Sequence, residues 1–127
     1  MKSFEYAAPK TIAEAVELLG DKWGETEIIA GGTDLVTSMK QQLIAPKRVV
    51  SLKNISELKV VQSKGKALQI GATTTLGELA ANVSVKKDFP ALITAIKNIA
   101  SPQLLSVVTV VVDLCQRPRC WFYRNGL

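Results

Sequence analysis

The run Ile28-Ile29-Ala30-Gly31-Gly32-Thr33-Asp34-Leu35 constrains the local path of this chain more than any other segment. Apolar residues suited to a buried strand stop at two adjacent glycines, and an amphipathic segment of helical spacing starts after Thr33. The chain must therefore turn from strand to helix over Gly-Gly. Glycines take positive φ and let a ligand approach the main chain, while a helix start leaves amide N–H groups without partners. A nucleotide pyrophosphate suits such a loop. The same step also serves as an ordinary tight connection, and the local sequence leaves both readings open.

The flanking sequence extends the pattern. Phe4 to Tyr6 reads as a strand, and Thr11 with Glu14 at capping-box spacing opens a helix that ends at Gly20. Ile12, Ala15, Val16 and Leu19 fall on its packing face. Glu27 to Ala30 is a buried strand, Asp34 to Leu43 a helix with Leu35, Val36, Met39 and Leu43 inward, and Arg48 to Leu52 a third strand. Ala45-Pro46 ends the second helix. This β-α-β-α-β alternation gives a small parallel sheet with helices packed against it.

Beyond residue 53 the pattern changes. Leu58 to Ser63 and Ala67 to Ala72 form a hairpin across Lys64-Gly65-Lys66, Thr75 with Glu78 starts a short helix through Ala81, and Pro90 to Ala100 is a longer helix. Leu104 to Val112 is a β-branched run expected to form a strand with an unpaired edge, a liability for aggregation. Trp121, Phe122 and Tyr123 point either to a packing partner or to a last strand docked on the second sheet.

Composition narrows the chemistry. The 127 residues contain no histidine, which removes Ser-His-Asp triads, Cys-His pairs and the commonest general base. Any enzymatic chemistry then belongs to a bound cofactor. The net charge of +5 is spread along the chain, so nucleic-acid binding is not expected, although Arg117, Arg119 and Arg124 stand among aromatics. No segment reaches the ~20 apolar residues of a membrane span, and the N-terminus has no apolar core of a signal peptide, so a cytoplasmic protein is expected. Cys115 and Cys120 are then thiols or ligands rather than a disulfide.

Phe4, Ala30-Gly31-Gly32-Thr33-Asp34-Leu35, Ile70-Gly71-Ala72-Thr73-Thr74, Ser101-Pro102-Gln103 and Leu114-Cys115-Gln116-Arg117-Pro118-Arg119-Cys120-Trp121 together resemble the FAD-binding medium subunit of molybdenum hydroxylases, the xanthine dehydrogenase and carbon monoxide dehydrogenase type. The resemblance covers essentially the whole chain, but members of the family are longer, so an N-terminal fragment is expected. It implies an α+β, two-subdomain FAD-binding fold of the PCMH type: residues 1–53 as the first subdomain, and 54–127 as a partial second one with an incomplete antiparallel sheet and helices. FAD would lie between them, gripped by Ile29, Ala30, Gly31, Gly32, Thr33, Asp34, Leu35 and Val36 and by a second loop containing Thr109 and Asp113. The implied partners are a molybdenum-cofactor large subunit and an iron-sulfur small subunit, with electrons leaving through FAD to NAD or another acceptor.

The chain departs from that pattern at the second loop. The family runs Ile-Arg-Asn and then Thr-x-Gly-Gly-Asn or Asp, whereas here Leu104 to Val108 precede Thr109-Val110-Val111-Val112-Asp113. Thr109 and Asp113 match, but valines replace both glycines. A β-branched side chain blocks close approach and disfavours positive φ, so weak or absent FAD binding is expected. The alternative is a truncated, FAD-deficient remnant that only docks on partner subunits, inactive as written. Some members carry an additional iron-sulfur cluster after this point, for which Cys120 would be an early ligand, the other reading being two unremarkable thiols.

Overall fold

A computed structural model describes residues 1–65, 67–99 and 101–125. Lys66 of the expected hairpin turn, Ala100 of the expected helix, Gly126 and Leu127 lie outside the described residues. Strands β1 (Glu5–Ala7), β2 (Thr26–Ile29) and β3 (Arg48–Ser51) form a parallel sheet in the order β1-β3-β2. Glu5 pairs with Arg48 on one side of β3, and Thr26 pairs with Arg48 on the other. The central position of β3 explains why Val49, Val50 and Ser51 are buried. The expectation of a buried second strand is corrected: β2 is an edge, and Ile28 is exposed.

Helix α1 (Ile12–Leu19) starts where the sequence indicates. The Thr11 side chain accepts from Glu14 N, but Glu14 Oε2 accepts from Lys10 N, so the capping box is only half closed. Ala15 packs with Val50 and Ile55 in one apolar cluster, whereas Ile12 and Val16 stay exposed, unlike the continuous packing face expected. Helix α2 (Leu35–Lys40) is shorter than expected, because Gln42 turns the chain with φ of 59° before Leu43 can join.

A 3-10 turn at Ser56–Leu58 leads to the antiparallel hairpin β4 (Val61–Lys64) and β5 (Ala67–Ile70). Gly71 then passes so close to the Leu58 carbonyl that an added Cβ would sit 2.3 Å from it. Helices α3 (Leu76–Ala81), α4 (Val83–Asp88) and α5 (Pro90–Ile99) pack around Leu76, Leu79, Val85, Ile93 and Ile96, joined by Val108. Helix α4 was not anticipated; Asn82 caps it by accepting from Val85 N.

Residues 104–112 do not form a strand. Ser101 caps α6 (Pro102–Leu105), and Thr109 precedes α7 (Val110–Cys115). The β-branched propensity is overridden by tertiary pairing: Leu76 N donates to Val108 O at 2.9 Å and Val110 N to Thr74 O at 3.1 Å, leaving one isolated bridge, Thr75 to Thr109. The expected unpaired edge is therefore absent there. The chain goes on to α8 (Trp121–Arg124), a helix rather than a docked strand, with Trp121 and Phe122 exposed. Among the described residues no helix is long and apolar enough to cross a membrane.

The α3 capping box is complete. Thr75 Oγ1 accepts from Glu78 N, and Glu78 Oε2 accepts from Thr75 N, while Lys59 pairs with Glu78 at 2.8 Å. Thr75→Ala is expected to destabilise the fold by about 1 kcal/mol, checked by denaturant titration. The Lys59 hydrogen bond, and then the Thr75 amide, hold the Glu78 carboxyl below its usual range. That stabilisation is complete above the ordinary glutamate pKa and is lost as pH falls through the lowered value.

Candidate functional site

The glycine loop differs at its two glycines. Gly32 is buried with φ of +81°, a conformation that side chains rarely adopt. Gly31 has no positive φ; instead a Cβ there would lie 2.1 Å from the Val107 carbonyl oxygen. Gly32 thus shapes the turn, and Gly31 admits the main chain of the segment before Thr109. The following helix is joined to the loop by Val36 N donating to Gly32 O at 3.0 Å, and Thr37 Oγ1 donates to Thr33 O.

A cavity of about 650 Å³ opens between this loop and α7. That lies within the range of small-molecule and cofactor sites, and its lining is mainly apolar. Of the residues expected at the site, Ile29, Ala30, Gly32, Asp34, Leu35 and Thr109 line it. Gly31, Thr33, Val36 and Asp113 are not among the lining residues.

Thr109 is 3% exposed, and its hydroxyl has no hydrogen-bond partner. It precedes the first turn of α7 yet makes no cap hydrogen bond to it. A buried unpaired hydroxyl is costly, and the residue that carries it lines the cavity. Val111 and Val112 also line the cavity. Both lie within α7, and Gln42 is the only non-glycine with positive φ among the described residues, so the expected backbone strain at these valines is corrected. What remains of that expectation is bulk: two β-branched side chains line the wall.

Several lining residues escaped the sequence reading. Trp23, almost wholly exposed, stands in a turn bracketed by Gly20 and Gly24, both at positive φ, which is the signal that could have marked it. Arg117 donates from Nη2 to Glu27 Oε1 at 2.7 Å, and its backbone N–H donates to Asp34 Oδ2 at 3.4 Å. Glu27 also holds the Arg117 guanidinium above its ordinary pKa, against the effect of burial. Asp34 makes no cap hydrogen bond to α2, and Arg119 Nε lies 3.5 Å from its Oδ1. These contacts join positions far apart in the chain, so no local pattern announces them.

Cys115 lines the cavity as an exposed free thiol. Cys120 is exposed too, and its Sγ accepts from Tyr123 N at 3.5 Å. Among the described residues no group of three or more His, Cys, Asp and Glu side chains could hold a metal ion.

Residues 2–119 match the model of the FAD binding domain in molybdopterin dehydrogenase. The chain is 35% identical over 111 residues to the carbon monoxide dehydrogenase medium chain of Hydrogenophaga pseudoflava, covering 87% of this chain and 39% of the relative. It is 34% identical to the nicotinate dehydrogenase FAD-subunit of Eubacterium barkeri, covering 87% and 38%. The solved carbon monoxide dehydrogenase from Hydrogenophaga pseudoflava superposes with a TM-score of 0.84 at 34% identity, over 89% of this chain and 39% of that one. Quinoline 2-oxidoreductase from Pseudomonas putida 86 superposes with a TM-score of 0.80 at 30% identity, over 86% and 39%. The chain thus spans about two fifths of the length of the relatives it matches. With its α+β fold and its glycine loop, it belongs to the family of FAD-binding domains of molybdopterin dehydrogenases.

Proposed function

We propose that the cavity between the glycine loop and α7 takes FAD, and that this chain is the flavin-bearing part of a molybdenum hydroxylase. The observation that carries the reading is Thr109, a residue of the cavity lining whose buried hydroxyl has no partner. A ligand with acceptor oxygens supplies the missing hydrogen bond, and the residues present fit the group: Gly32 and Thr109 would hold its diphosphate. FAD, when bound, supplies the redox chemistry that a chain without histidine lacks. Electrons would come from a molybdenum-cofactor large subunit through an iron-sulfur small subunit and leave to NAD or another acceptor. The division at residues 53 and 54 would separate the two FAD-binding subdomains, although Ile55 and Leu58 still pack with the first apolar cluster. The assembly would be cytoplasmic.

Thr109→Val tests this. The substitution keeps the shape and removes the hydroxyl, so thermal stability is expected to hold or rise, while FAD affinity falls by about tenfold, one hydrogen bond to a charged group. Flavin fluorescence titration reads the affinity. An unchanged affinity removes Thr109 from the site.

The bulk of Val111 and Val112 in the wall favours a second reading, the FAD-deficient module that only docks on partner subunits. Visible absorption separates the two: a purified chain that is colourless and takes up no added FAD belongs to the second. An iron-sulfur role for Cys120 would need thiolates from beyond the described residues.

A further inference from the structure

The segment after α7 is tied to the opposite wall of the cavity by charge. Arg117 reaches Glu27 on β2, and Arg117 N and Arg119 reach Asp34 at the end of the glycine loop. The two carboxylate side chains are only 17% and 19% exposed. With Asp21, they put three acidic residues into the cavity lining, against Lys22 and Arg117. Left unpaired, such a wall repels any ligand bearing phosphates, and repulsion is stronger where apolar lining excludes water.

We infer that Arg117 is a positioning and specificity residue: by pairing with Glu27 it sets the charge of this wall so that the cavity accepts a diphosphate ligand and prefers it to the same ligand without phosphates. The hydrogen bond to Glu27 comes from Nη2, one nitrogen of a guanidinium that carries five N–H donors, so donors remain for an oxyanion, while the Glu27 charge offsets the attraction that the cation exerts on it. The inference rests on the nucleotide reading of the cavity, and it makes an unusual demand. Breaking the ion pair from its two ends must change phosphate affinity in opposite directions.

The test measures ADP and adenosine binding by calorimetry for the wild-type chain, Glu27→Gln and Arg117→Gln. Glu27→Gln is expected to tighten ADP by about fivefold, Arg117→Gln to weaken it by about tenfold, and adenosine to change less than about twofold in either. The double variant Glu27→Gln with Arg117→Gln recovers part of the loss. A merely structural ion pair predicts loss in both single variants and equally for both ligands; that result overturns the inference while leaving the nucleotide site standing. If Arg117→Gln does not fold, Glu27→Gln decides by the sign of its ADP effect. A wild-type chain that binds neither ADP nor adenosine overturns the inference together with the reading beneath it.

Discussion

Replacing Val111 and Val112 together with glycine is expected to tighten FAD binding by about tenfold or more and to lower stability at the same time. The two effects have separate causes. Both residues line the cavity from the first turn of α7, where removing two branched side chains uncovers main chain for a phosphate-bearing ligand. Both are helical, so glycine relieves no backbone strain and instead adds unfolded-state freedom, costing about 0.5 kcal/mol per position relative to valine. Flavin titration and thermal melting of one double variant read the two together. Equal FAD affinity in the variant and the wild type would show that the valines do not obstruct the site.

The sequence located this replacement but assigned it the wrong physical cost. A motif alone suggests positive φ, whereas the φ of a residue depends on the element that contains it. Here Thr109 precedes a helix, and backbone hydrogen bonds from Leu76 N to Val108 O and from Val110 N to Thr74 O anchor the segment around it. The same pairing turned a β-branched run into α7. Local features were legible: the Thr75 and Glu78 box, the positive φ at Gly32 and the parallel alternation all depend on neighbours within a few residues or on simple periodicity. Glu27, Arg117 and the orphan hydroxyl of Thr109 were not legible as a site, because their significance comes from partners or surroundings many residues away.

Gly31→Ala is expected to be among the most damaging single changes in the molecule, destabilising by about 3 kcal/mol or more. The new Cβ would lie 2.1 Å from the Val107 carbonyl oxygen, and both groups are held by main chain, so no rotamer change relieves the clash. Gly32→Ala meets a different obstacle. Its Cβ would contact the end of the Ile29 side chain at 3.1 Å, which can yield, leaving mainly the strain of φ +81°, about 1 to 3 kcal/mol. Denaturant unfolding of the two variants should therefore rank Gly31→Ala as the worse. If the two cost the same, the close approach of the Val107 peptide does not govern the loop. The Gly-Gly step is thus two constraints side by side: one glycine exists for another segment of the protein, the other for the path of its own turn.

The pairing of Val108 and Val110 with Leu76 and Thr74 has a consequence for how this pocket can vary. Those bonds run from main chain to main chain and make no demand on the side chains of Val111 and Val112 beyond their fitting a helix. The frame and its furnishing are therefore separable: substitutions at Val111 and Val112 can retune which guest is admitted without relocating the wall that bears them.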